Sequence, residues 1–172
     1  MNGMQWYVLY TSVNQEKKVA NFLRRREIEC FLPLMNVSKN WKKRKSTICE
    51  VPLFPGYVFI KIAGKQKHLI YDIPGVLRYV PNNVCPSIVN MQEIEVIRRI
   101  TQEQDNISRE PLGIGQLIEI TDGPFQGFKG ILYEKKGKTR LGVRVTSLGE
   151  SLSVEIDLLS LRKITYSELS KC

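Results

Sequence analysis

A break in pattern at residues 103–111, EQDNISREP, divides this chain in two. The stretch is polar, carries no hydrophobic period and closes on Pro111, so it reads as a flexible linker. Before it, strand-like and helix-like segments alternate. After it come only short strand-like runs: QLIEIT, KGILYEK, LGVRVTS, SLSVEID and LRKI, separated by Gly or polar turns. Four or five short strands in about 60 residues suit a small barrel, because closure removes edges that so small a sheet cannot hide. The expected architecture is an α+β domain over 1–102, a linker over 103–112, and an all-β barrel over 113–166.

Within the first part, WYVLYT (6–11) is aromatic and β-branched, with Trp6, Val8 and Tyr10 on one face, and predicts a strand. Ser12 with Gln15 three residues later offers a capping box. An amphipathic helix of about four turns follows, with Val19, Phe22 and Leu23 on its apolar side and Lys17, Lys18, Arg24 and Arg25 around the rest. Strands are predicted over 29–37 (bent at Pro33), 47–53, 57–62 and 76–80, and a short helix over 65–73 ending at Pro74-Gly75. Asn90 with Glu93 can cap a second amphipathic helix carrying Met91, Ile94, Ile97 and Ile100.

LFPGYVFI, at 53–60, is the most apolar stretch, yet it contains Pro-Gly. Pro gives no N–H to a ladder. On pattern alone the segment is either a core strand with a bent entry or an apolar surface meant for a partner.

Charge points toward a polyanion. The net charge is +9, and residues 1–110 hold 17 basic and 10 acidic side chains against 9 and 7 beyond. The excess therefore belongs to the N-terminal part. KNWKKRK at 39–45 concentrates five positive charges without an acid and reads as a hairpin tip. Trp41 among Lys42, Lys43, Arg44 and Lys45 has the composition to stack on a base or lie along phosphates.

Enzyme signatures fail on inspection. Gly137-Lys138-Thr139 would end a phosphate-binding loop, but Leu132 stands where its first glycine is required. Gly113-x-Gly115 is followed by Ile118 where a dinucleotide site needs Gly. With His68 alone and cysteines at 30, 49, 85 and 172, no zinc spacing exists. No metal, cofactor or catalytic role is expected. No run approaches 18 apolar residues, and the N-terminus lacks a signal-peptide pattern. A soluble, cytoplasmic, monomeric binding protein is expected.

Two motifs carry a family resemblance. GQLIEITDGPFQGFKGILYE, with Gly115, Gly123, Pro124, Phe125, Phe128 and Gly130, looks like a KOW motif. The glycines serve shape first: a tight turn at Gly123, an aromatic pair closing the barrel end, and a close backbone approach at Gly130. WYVLYT, QEKKVA, PLFPGYVFI and IPGVLRYV, in that order, resemble the N-terminal domain of NusG proteins. The resemblance covers about residues 5–165. It implies a mixed-sheet NusG-type domain followed by an SH3-like KOW barrel, and a role in transcription elongation.

The run Glu50-x-Pro52-Leu53-Phe54-Pro55 is similar to the specialised RfaH- and UpxY-type antitermination paralogues. Where housekeeping members tend to have Arg and Pro in a late barrel strand, this chain has Glu150 and Ser153. The resemblance implies that Phe54, Pro55, Tyr57 and Phe59, with Tyr7 beside them, bind the clamp helices of RNA polymerase. His68 aligns loosely with a segment facing the opposite side of the cleft. Gln15, Lys18 and Arg25, helped by Lys17 and Arg24, align with contacts to the non-template DNA strand. The KOW domain is implied to bind Rho or a small-subunit ribosomal protein. The implied function is suppression of pausing and read-through of long operons, such as capsule loci. The rival reading is a ribosome- or RNA-binding KOW protein, which the weak charge of the C-terminal part disfavours.

Overall fold

The computed structural model describes residues 3–39, 47–102, 107–109, 115–122, 126–135, 138–155 and 161–165. By contacts the chain forms two units, Met1–Met91 and Gln92–Cys172.

The first unit is built on a four-stranded antiparallel sheet. Its strands are β1 (Met4–Thr11), β2 (Glu29–Phe31), β5 (Tyr57–Ala63) and β6 (Val76–Tyr79), in the order β2-β5-β1-β6. A separate hairpin pairs β3 (Leu34–Lys39) with β4 (Thr47–Pro52). The strand expected over 29–37 is thus two strands, broken around Pro33 because Pro cannot serve a ladder. Between β5 and β6 lies a 3-10 helix over Gly64–Ile70.

Helix α1 spans Glu16–Arg25. It is shorter than expected and does not start from a Ser12 capping box. Ser12 O instead accepts Gln15 N–H in a turn that passes Asn14 at φ 59, and no side chain caps the helix. The C-terminal end is a Schellman motif: Ile28 N–H reaches Leu23 O, Glu27 N–H reaches Arg24 O, and Glu27 stands in the left-handed region at φ 56. That turn buries Ile28 beside Leu23 in the core between α1 and the sheet. Val19, Ala20 and Leu23 pack there against Tyr7, Leu9, Val58, Ile60, Ile62 and Tyr79. Full burial of each large aliphatic is worth about 1.5–3 kcal/mol. Phe22, expected on the same apolar side, is 39% exposed, because its position on the helix turns away from the sheet.

The second unit holds α2 (Met91–Gln102, from Gln92 onward) and a six-stranded antiparallel sheet. The strands are β7 (Ser108–Arg109), β8 (Gln116–Ile120), β9 (Lys129–Lys135), β10 (Lys138–Val145), β11 (Glu150–Glu155) and β12 (Leu161–Lys163), in the order β12-β8-β9-β10-β11-β7. Ile118, Ile120, Leu141, Val145, Leu152 and Val154 are buried in this region.

The contact division falls at the first residue of α2, between Met91 and Gln92. The Glu93 carboxylate accepts Thr146 N–H at 2.8 Å. Part of the expected linker is a strand: β7 pairs with Leu152 and Ser153 of β11, and Ile107 beside it is buried. An apolar residue inside an otherwise polar run is what draws it in.

Candidate functional site: an aromatic turn beside a basic helix

The Pro-Gly pair of LFPGYVFI makes a turn. Phe54 O accepts Tyr57 N–H at 3.1 Å, with Pro55 second and Gly56 third at φ +84. This is the pattern of a type II turn, which needs a positive φ at its third residue. A Cβ on Gly56 would also stand 3.0 Å from Tyr10 Cε2. The ladder of β5 starts only at Tyr57, so Pro55 deprives the sheet of nothing.

From Tyr57 the strand alternates. Val58, Ile60 and Ile62 enter the α1 core with Tyr7 and Leu9. Tyr57 and Phe59 take the other face, where Tyr57 lies opposite Tyr10 and Phe59 opposite Val8. Phe59 packs between Phe31, tilted at 6.0 Å, and Phe54, edge-on at 6.3 Å. The segment therefore divides by face rather than serving one role throughout.

The expected surface residues do not all lie at a surface. Phe54 and Phe59 are fully buried. Tyr7 is buried on the opposite face of the sheet from Tyr57: its ring meets Tyr79 edge-on at 6.0 Å, and Lys67 Nζ sits 4.7 Å above it. One-residue alternation along β1 decides this, since neighbours at 7 and 10 cannot share a face. Burial raises the Tyr79 phenol above its ordinary value, helped by the neighbouring Tyr71 and Tyr7, so it stays a donor, to Lys67 O at 2.8 Å.

What remains accessible is a row across three strands. Pro55 is exposed, and Tyr57 and Tyr10 are half-buried, with ring centroids 5.5 Å apart. The exposed Arg78, opposite Tyr10 on β6, holds its guanidinium 5.1 Å from the Tyr10 ring. Backbone carbonyls at Tyr79 and Pro81 accept from the same guanidinium. Tyr10 and Arg78 are additions to the residues expected here. Tyr10 was legible in the alternation Trp6, Val8, Tyr10; Arg78 carried no local signal, because its place beside Tyr10 comes from strand pairing.

The first turn of α1 meets this turn, where Glu16 Oε1 accepts Gly56 N–H at 2.7 Å. Lys17, Lys18, Arg24 and Arg25 are all exposed, while Glu16, Val19, Ala20 and Leu23 face inward. Lys18 and Arg25 are two turns apart and share a stripe, as do Lys17 and Arg24. Gln15 stands at the helix start. Lys17 Nζ donates to Glu50 O at 2.9 Å, and Arg24 to Asn21 Oδ1 at 3.1 Å. His68 is exposed on the 3-10 helix with Nδ1 3.1 Å from Lys65 O, on the strand connection that follows β5. Trp41, Lys42, Lys43, Arg44 and Lys45 lie outside the described residues, between β3 and β4.

In the second unit, Gly130 fulfils its expected role: a Cβ there would sit 2.4 Å from Gly142 O. Gly115 is equally constrained, by Leu132 O at 2.0 Å. Phe128 is buried under the Arg99 guanidinium, 5.4 Å from its ring centroid. Gly123, Pro124 and Phe125 lie outside the described residues. Ser153 Oγ accepts from buried Arg140 Nε at 3.0 Å, and Ser153 O from the same guanidinium at 3.2 Å. Among the described residues no group of three or more His, Cys, Asp or Glu is placed to hold a metal, and no helix is long and apolar enough to cross a membrane.

The chain is similar to known proteins over most of its length. A family model described as transcription termination factor nusG matches residues 4–98. A transcription termination/antitermination protein NusG from Buchnera aphidicola subsp. Acyrthosiphon pisum is 32% identical, over 92% of this chain and 96% of the relative. The protein of the same name from Rickettsia bellii is 27% identical, over 92% and 90%. Among solved structures, one reporting domain interaction in Thermotoga maritima NusG is similar in fold, with a TM-score of 0.57 at 22% identity, covering 94% of this chain and 98% of that one. The chain belongs to the NusG family of transcription termination/antitermination factors.

Proposed function

We propose that this protein is an elongation and antitermination factor that seats Pro55, Tyr57 and Tyr10 against the clamp helices of RNA polymerase, suppresses pausing and promotes read-through of long operons. The observation that carries this reading is the half-buried Tyr57–Tyr10 pair, presented by a rigid turn beside an exposed basic helix. Rigid aromatics that are partly desolvated already are what interface anchors are made of. Phe54 and Phe59 act beneath them as support.

Lys18 and Arg25, with Gln15 at the helix start, contact the displaced non-template strand. The cations neutralise phosphates without regard to sequence, and Gln15 offers both a donor and an acceptor to a base edge. His68 approaches the opposite side of the polymerase cleft. A ligand that spans the cleft favours the closed clamp by its differential affinity for the closed and paused states. No catalytic residue is needed. The protein works as a cytoplasmic monomer. Its KOW region serves a second partner, either Rho or a small-subunit ribosomal protein.

The departures at Glu150 and Ser153, together with the Glu50–Pro55 run, favour the specialised RfaH- and UpxY-type branch and polysaccharide loci as targets. The test is in vitro transcription of the protein's own operon with and without it. Read-through is expected to rise, and to fall back with Tyr57→Ala. Unchanged pausing and termination would refute the proposal.

A further inference from the structure

Glu16 is a buried carboxylate on a helix whose other charged side chains are exposed. It is 4% exposed, and its Oε1 accepts Gly56 N–H at 2.7 Å, across 40 residues of sequence. The other side of the same glycine is also held, since Gly56 O accepts Thr11 N–H at 2.8 Å. Gly56 is thus clamped at both backbone groups, below the Tyr10 ring. A second tether starts one residue on, where Lys17 Nζ reaches Glu50 O near the end of β4. The second Pro-Gly turn meets the same place: Ser12 N–H donates to Gly75 O at 2.8 Å. So the first turn of α1 holds the chain at Glu50, before LFPGY, and at Gly56 within it.

From this geometry we infer that Glu16 is the positioning residue of the aromatic turn. It fixes Pro55 and Tyr57 for polymerase and couples them to the helix start that carries Gln15 and Lys18. The inference rests on the reading of Tyr57 as a polymerase anchor. A charge-assisted bond to a backbone N–H is among the stronger hydrogen bonds. In a buried site its loss leaves the Gly56 N–H unpaired, which frees the turn rather than the whole sheet. Glu16 touches no partner itself; it sets where Tyr57 stands.

The experiment compares polymerase affinity, thermal stability and Gly56 amide exchange in the full-length chain. The variants are Glu16→Ala, Glu16→Gln, Leu23→Ala and Tyr57→Ala. Glu16→Ala is expected to bind polymerase about tenfold more weakly and to speed Gly56 exchange. Glu16→Gln keeps an oxygen that can accept the Gly56 N–H and is expected to recover most of the affinity. Leu23→Ala, a core truncation at the far end of α1, is expected to lose stability while its folded form binds normally.

The inference is overturned if Glu16→Ala binds like the unaltered protein while Tyr57→Ala is weakened. It is equally overturned if affinity falls in step with stability across Glu16→Ala and Leu23→Ala. Unchanged binding by Tyr57→Ala would instead remove the polymerase reading. Gly56 exchange then still decides whether Glu16 holds the turn. Should Glu16→Ala fail to fold, Glu16→Asp replaces it: the charge stays, the reach shortens by one methylene, and the same loss of affinity and protection is expected.

Discussion

Tyr57 and Tyr10 stand directly opposite one another on β5 and β1, with ring centroids 5.5 Å apart and planes at 53°. Both are half-buried, so they supply apolar area without being required to hold the core. Tyr57→Ala is expected to lower polymerase binding by about 2 kcal/mol or more while the protein stays folded. A double-mutant cycle with Tyr10→Ala should give a stability coupling of about 0.5–1.5 kcal/mol, as for other aromatic pairs. Equilibrium binding and denaturant unfolding of the four proteins measure both.

Phe59 is expected to behave differently. It is fully buried between Phe31 and Phe54. Phe59→Ala should cost about 3–5 kcal/mol of stability, the range for truncating a buried aromatic. Urea unfolding would show this as a lower midpoint with little change in slope. A loss below about 1 kcal/mol would mean that the residue is not core.

Lys18→Ala and Arg25→Ala should weaken single-stranded DNA binding and leave folding unchanged. Each is expected to reduce the slope of log K against log salt by about 0.7, the value for one phosphate contact on a single strand. Titrations at several salt concentrations read this directly. An unaltered slope would assign the two residues to an ordinary solvated helix face.

In the second unit, Ser153→Ala removes the hydroxyl that accepts from buried Arg140 Nε. A bond to a charged donor contributes about 1.5–3 kcal/mol, so a stability loss of that order is expected. Serine at this position matters locally for a reason the sequence does not display: the partner lies 13 residues away on β10.

Cysteine reactivity gives an independent check of burial. Burial pushes the Cys30 thiol up, with Arg24 pulling the other way and Glu29 adding to the rise. Its Sγ also lies 3.5 Å from Ala20 O. Cys85 is exposed. Alkylation near neutral pH, followed by mass spectrometry, should therefore label Cys85 well before Cys30, because the thiolate is the nucleophile.

The sequence alone determined a good deal. Local alternation placed Trp6, Val8 and Tyr10 on one face and divided Tyr57 and Phe59 from Val58 and Ile60. The 3.6-residue period placed Val19 and Leu23 of α1 on the side that meets the sheet, though it placed Phe22 there wrongly, and Gly130 was legible as a close backbone approach. These are short-range properties, set by the two periodicities of strand and helix. Tertiary structure decided the rest. Whether Phe54 and Phe59 face a partner or a core depends on what packs above them, which no period records. Tyr7 and Tyr57 are parted by which face of the sheet each side chain takes, and Arg78 joins Tyr10 only by cross-strand pairing. The Ser12 cap lost to a tighter turn, since Ser12 N–H and Thr11 N–H are used to hold two Pro-Gly turns. For LFPGY the decisive contact is Glu16 with Gly56: two residues ordinary in their own neighbourhoods, joined because the chain returns to the start of its first helix.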